Sequence, residues 1–151
     1  MTADRPRSRP ATPGTRRGER MVVNRQREVA VRPGLLRGFL SRACELVLPR
    51  AAGVAVCLVS DAEIARLNRR YRGKAGATDV LSFPADGTGG DIAISPAAAR
   101  RNARSLGRSV PEELRVLILH GVLHLAGYDH ETDQGEMDRC ELRLRRRLRI
   151  A

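Results

Sequence analysis

All three histidines of this chain fall in one stretch, His120-Gly121-Val122-Leu123-His124-Leu125-Ala126-Gly127-Tyr128-Asp129-His130. No other feature limits the fold so strongly. Leu114, Val116, Leu117, Leu119, Val122, Leu123 and Leu125 surround the segment that leads into it. A helix apolar on most sides belongs in the middle of a protein. His120 and His124 are four residues apart, so on that helix they leave one face in successive turns. Gly127 follows where a helix can end in a left-handed residue that glycine adopts without strain. The chain can then reverse and return His130 towards the first two. Three converging imidazoles make a metal site. Zinc is the expected ion, because imidazole suits it and three protein ligands leave the fourth tetrahedral position open for chemistry. Two ordinary polar residues would explain a histidine pair, but not a triple with a glycine hinge. Ligands on a buried helix also hold geometry better than ligands on a loop.

The His-x3-His-x2-Gly-x2-His spacing is that of the metzincin proteases, with one departure. Their motif carries a glutamate general base directly after the first histidine, where this chain has Gly121. The wider pattern, His-Gly-x-x-His-Leu-x-Gly-Tyr-Asp-His, resembles the signature of the YbeY family, bacterial metal-dependent endoribonucleases of ribosomal RNA maturation. Leu67-Asn68, Tyr71-Arg72-Gly73-Lys74, Thr78-Asp79-Val80-Leu81-Ser82-Phe83-Pro84 and Gly90-Asp91-Ile92 are similar to that family's other blocks, in the same order. The resemblance spans about residues 21 to 148.

The resemblance implies a single-strand-specific, zinc-dependent endoribonuclease acting in 16S rRNA 3′-end maturation and ribosome quality control, in the cytoplasm. It implies one zinc ion on His120, His124 and His130. Its partners would be ribosomal RNA, the small ribosomal subunit and assembly proteins, with no membrane and no disulfide-linked partner. It places Arg72 beside the metal, where a planar guanidinium fits a phosphate. Arg72 is thus the expected catalytic and substrate-binding cation, and Lys74 a further phosphate contact. Asp129 has two readings: it orients an imidazole from behind, or it closes the turn after Gly127. The sequence singles out no general base, and Glu131 is a weaker candidate than Asp129. Asp79 and Ser82 are expected to shape the site's strand and loop, and Tyr128 to pack. Two other functions stay open: a metzincin-like metalloprotease, and a non-catalytic zinc-containing ribosome-assembly factor.

Charge agrees with a polyanionic partner. The formal net charge is +11, carried almost wholly by arginine, with Lys74 the only lysine. Nucleic acid fits this better than a membrane. Phe39, Tyr71, Phe83 and Tyr128 are the only aromatic residues, so binding should rest on phosphates and RNA shape more than on base stacking. No apolar run is long enough to span a bilayer, and the first residues lack the apolar segment of a signal peptide. Cys44, Cys57 and Cys140 are odd in number and lack CxxC spacing, so they read as buried reduced thiols.

The domain plan is a disordered basic extension over residues 1–20 and a single domain over 21–151. The extension holds six arginines and three prolines with few apolar residues. An equally good reading starts the native protein at Met21. Alternation predicts a strand over 21–31, a helix from Pro33 to about Val47, and a strand through Val54, Val56 and Leu58. Ser60 should cap a short helix from Asp61. A strand over Thr78–Phe83 follows, then a loosened loop to Gly89, where the similar family usually has leucine. A strand over Asp91–Ser95 and a helix from Pro96 to near Gly107 come next. Ser109 and Glu112 form a capping box for the histidine helix. A last helix should start at Thr132 or Asp133, with Met137, Cys140, Leu144 and Leu148 inward. The fold class is α/β (α+β): a small mixed sheet with helices packed around the histidine helix.

Overall fold

A computed structural model describes residues 18–49, 53–76, 78–85, 89–129 and 131–150. Residues 1–17 of the expected disordered extension, and His130, lie outside the described residues. Glu19 and Arg20 correct the extension's boundary, since they open strand β1 (Glu19–Asn24). Parallel pairing with the next strand, Glu19 opposite Gly53 and Arg20 opposite Val54, orders them despite their polarity.

β1 also ends earlier than the Val29/Val31 alternation suggested. After Arg25 donates to the Leu58 carbonyl, the Gln26 side chain takes over. Its amide donates to the Val29 carbonyl and accepts from the Val29 N–H, both at 2.9 Å, which folds the chain into a local loop. Helix α1 (Pro33–Val47) has its proline in the first turn, where no N–H partner is lost. It leads to β2 (Gly53–Leu58) and to α2 (Asp61–Arg72), which Ser60 caps by accepting from the Glu63 N–H. Strands β3 (Val80–Pro84) and β4 (Gly89–Ile94) form a hairpin. Helices α3 (Pro96–Leu106), α4 (Val110–Leu125) and α5 (Glu136–Leu148) complete the order.

The last helix starts later than expected. Thr132 and Asp133 donate their N–H groups to the Asp129 carbonyl in a turn. The Asp133 carboxylate then accepts from Gly135 and Met137, so it caps from outside the helix. Gly89 is a second correction. It stands in β4, buried, at φ +111, and a Cβ there would lie 2.4 Å from the Gly53 carbonyl oxygen. Close strand approach explains this glycine, and residues 86–88 of the expected loosened loop lie outside the described residues.

The sheet order is β1-β2-β4-β3, with β3 antiparallel to β4 and the other neighbours parallel. β2 and β4 are central and buried along their whole length. Their alternation therefore sorts side chains between two covered faces. Val54, Val56, Leu58, Ile92 and Ile94 face the large core with α1, α3, α4 and α5. Cys57, Ala93 and Leu81 face a smaller cluster with Ile64 and Leu67 of α2. Helix α4 packs against α1, α3, α5, β3 and β4. This is the central place that its apolar circumference demanded.

Candidate active site

Ser109 opens α4 by accepting from the Glu112 N–H at 3.2 Å, and the helix buries ten of its sixteen residues. His120 and His124 leave it on its half-buried side. Their Nε2 atoms stand 3.1 Å apart, with the rings edge to face at 75°. The helix then stops as its sequence requires. Gly127 takes φ +100, its N–H donates to the His124 carbonyl, and the Tyr128 N–H reaches back to the Leu123 carbonyl. Those two bonds are a Schellman ending. They turn the chain sharply, one turn beyond His124.

Asp129 shapes the turn beyond that ending. Its Oδ1 accepts from the Glu131 N–H at 3.0 Å, and its carbonyl accepts from Thr132 and Asp133. Tyr128 packs against the large core, and its hydrogen bond with Cys140 pushes the phenol pKa up. It therefore stays protonated at neutral pH.

Behind the histidine pair stands a residue that no sequence motif singled out. Glu141, on α5, puts Oε1 3.3 Å from His120 Nδ1. Arg145, one turn further on, donates to Glu141 Oε2 at 3.2 Å. Burial of Glu141 raises its pKa. The His120 hydrogen bond and the charges of Arg145, His120 and Arg108 outweigh this and hold the carboxyl below its ordinary range. Its flanking by the inward residues Cys140 and Leu144 was the available signal.

The opposite wall comes from α2 and the loop after it. Gly73 ends α2 in a left-handed conformation, so the chain turns off the helix and carries Arg72 and Lys74 to the rim. Glu131 reaches both cations, 3.6 Å from Arg72 and 3.9 Å from Lys74. All three are largely exposed, so these contacts contribute at most about 1 kcal/mol. The loop is tied down by Asn68, whose Nδ2 donates to the Gly76 carbonyl at 3.1 Å.

The cleft between the walls has a volume of about 660 Å³. Arg72, Lys74, Ser82, His120, His124 and Asp129 all line it. The structure thus brings together every predicted site residue that it describes. The Ser82 hydroxyl donates to the Gly121 carbonyl at 3.2 Å and joins β3 to the histidine helix. Asp79 accepts from the Asn102 side chain at 3.1 Å and, through its carbonyl, from Ser95. Both residues shape the site, as expected.

Gly121 explains the departure from the protease motif. A Cβ at that position would lie 2.7 Å from Cγ2 of Ile92 on β4. The position after His120 faces the sheet and has no room for a glutamate.

The two described imidazoles are donors of the kind zinc takes. Two imidazole nitrogens converge on one point, and one of the two rings is held from behind by a carboxylate. Among the described residues no third histidine, cysteine, aspartate or glutamate joins them.

The chain is similar to known proteins over most of its length. The family model described as endoribonuclease YbeY matches residues 22–148. The chain is similar to a protein named endoribonuclease YbeY from Koribacter versatilis, 50% identical, with 86% of each chain covered. It is also similar to one from Solibacter usitatus, 42% identical, covering 87% of this chain and 88% of that one. A solution structure from Thermotoga maritima superposes with a TM-score of 0.60 at 30% identity, covering 86% of this chain and 88% of the other.

Proposed function

This chain belongs to the YbeY endoribonuclease family, and on that premise we propose that it is a zinc-dependent endoribonuclease cutting single-stranded ribosomal RNA. The observation that carries this reading is the cleft itself. Two convergent imidazoles form one wall and two cations the other. In this reading His120, His124 and His130 hold the ion. Zinc bound there would lower the pKa of a coordinated water and polarise a phosphoryl oxygen.

The chain's own residues do the rest. Arg72 presents a planar fork to a phosphate and Lys74 adds a point charge, both from a rim that Asn68 holds in place. Glu131 marks where an anionic oxygen reaches both cations, and an incoming phosphate takes that position. Asp129 forms the turn after Gly127. The cleft, of about 660 Å³, has room for a phosphate and the groups attached to it between the two walls. The basic surface suits a large RNA partner. The biological setting we propose is 16S rRNA 3′-end maturation and ribosome quality control in the cytoplasm, on the small ribosomal subunit and its assembly proteins. The packing of Gly121 on Ile92 argues against peptide hydrolysis.

The test is cleavage of a 16S rRNA 3′ fragment, single-stranded and annealed to a complement. Chelated, zinc-restored and His124→Ala protein run in parallel. We expect cleavage of the single strand only, lost with chelator and in the mutant. Arg72→Ala should lower kcat about 10²-fold, in the range of other lost transition-state donors. Cleavage that survives chelation and His124→Ala would overturn the reading. Metal-loaded protein that binds small subunits without cutting would favour the assembly-factor alternative.

A further inference from the structure

We propose that Glu141 is the positioning residue of the metal site: by accepting from His120 Nδ1 it fixes the tautomer in which Nε2 offers its lone pair to zinc. This rests on the zinc reading of the same site and deepens it. The geometry separates the two ring nitrogens by direction. His120 Nδ1 faces Glu141 Oε1 at 3.3 Å, while Nε2 faces His124 Nε2 at 3.1 Å.

In this contact the carboxylate oxygen accepts and the ring N–H donates. A contact between that oxygen and Nδ1 therefore requires the proton on Nδ1. A neutral imidazole carries only one N–H, so Nε2 is left bare towards the cleft. The carboxylate is itself restrained. Its second oxygen accepts from Arg145, and its side chain is only 14% exposed. None of the described residues lining the cleft comes from α5, so Glu141 reaches the site through His120 alone.

A plain ion pair joining α4 to α5 would place Glu141 against any cation on α4. It would have no reason to select the ring nitrogen turned away from the second histidine. A buried ion pair without contact to the histidines exists nearby, between Arg108 and Glu113 at 2.9 Å. It supplies the control.

The experiment uses the full chain, wild type, Glu141→Gln and Glu113→Gln. Long-range 15N NMR of the zinc-free protein reads each ring's tautomer. With three histidines in the chain, assignment is short. Chelator competition reads zinc affinity without any assay of RNA. We expect His120 as the Nδ1–H tautomer in wild type and a mixture in Glu141→Gln, whose amide can donate as well as accept. Zinc Kd should rise about 10- to 100-fold in Glu141→Gln, as for other partners of metal-bound imidazoles. Glu113→Gln should lower the Tm with zinc Kd unchanged.

An Nε2–H tautomer in the wild type overturns the proposal even if Glu141→Gln does not fold. Equal loss of affinity in both variants, or none in Glu141→Gln, overturns it too and leaves Glu141 a clamp. Wild type that binds no zinc overturns the metal reading and this proposal with it, a pattern distinct from the other two.

Discussion

The two faces of the sheet are covered unequally. On one, α1, α3, α4 and α5 enclose a core that includes Phe39, Leu40, Ile118, Leu119, Leu123 and Met137, all buried. On the other, α2 is the only helix among the described residues, and its Ile64 and Leu67 cover Cys57, Val59, Leu81 and Ala93. Each face contributes one wall of the cleft. The deep side delivers the histidines, and the thin side delivers Arg72 and Lys74. In the zinc-nuclease reading proposed above, the groups that would hold an ion need fixed distances, whereas those that would meet a polymer gain from freedom to adjust. The uneven packing assigns rigidity accordingly.

Mutations on the two sides should separate these roles. The largest effect belongs to the deep side. Leu119→Ala, at a fully buried position, should cost about 2–5 kcal/mol by chemical denaturation and weaken zinc binding as the fold loosens. Gly121→Ala should cost about 1–3 kcal/mol, because its Cβ must push a β-branched side chain out of β4. If Gly121→Ala is neutral, helix and sheet are not in the contact described. On the thin side, Ile64→Val should cost about 0.5–1.5 kcal/mol. It should raise KM for RNA and leave zinc affinity alone. A change in zinc affinity there would erase the contrast.

The smallest effect concerns Asp61, where α2 begins. Its hydrogen bonds from Arg101 hold its pKa below the ordinary value, burial opposes this, and the Ser95 hydroxyl adds to the lowering. The folded pKa lies below the unfolded one. The pair's stabilisation is therefore present above the unfolded carboxylate value, and is lost as pH falls through the folded one. Asp61→Asn should lower the neutral plateau slightly and by the same amount flatten the acid limb of stability below about pH 4. An unchanged acid limb would show that the contact contributes nothing.

What could be read from the sequence was local. Ser60 and Ser109 each announced a helix start, and each caps one. Gly107 and Gly127 announced helix ends, and both take positive φ. The residues lining the cleft came from blocks of a few residues and from the spacing of two histidines. What escaped depends on distant partners. Glu141 meets His120 across 21 positions, and Ser82 meets Gly121 across 39. Nothing in either segment declares the other. β1 was misplaced for the same reason, since its limits follow from rungs to β2 and from the side chain of Gln26. The early start drawn for α5 overlooked a capping carboxylate that precedes its helix by three residues.

The burial of α4 has a kinetic side. Backbone amides of the segment that carries His120 and His124 should exchange with solvent only when the whole molecule opens, while those of α2 and its loop exchange through smaller fluctuations. Two clocks would then run in one cleft. The rim would open and close many times on a strand of RNA within the lifetime of a single global unfolding event.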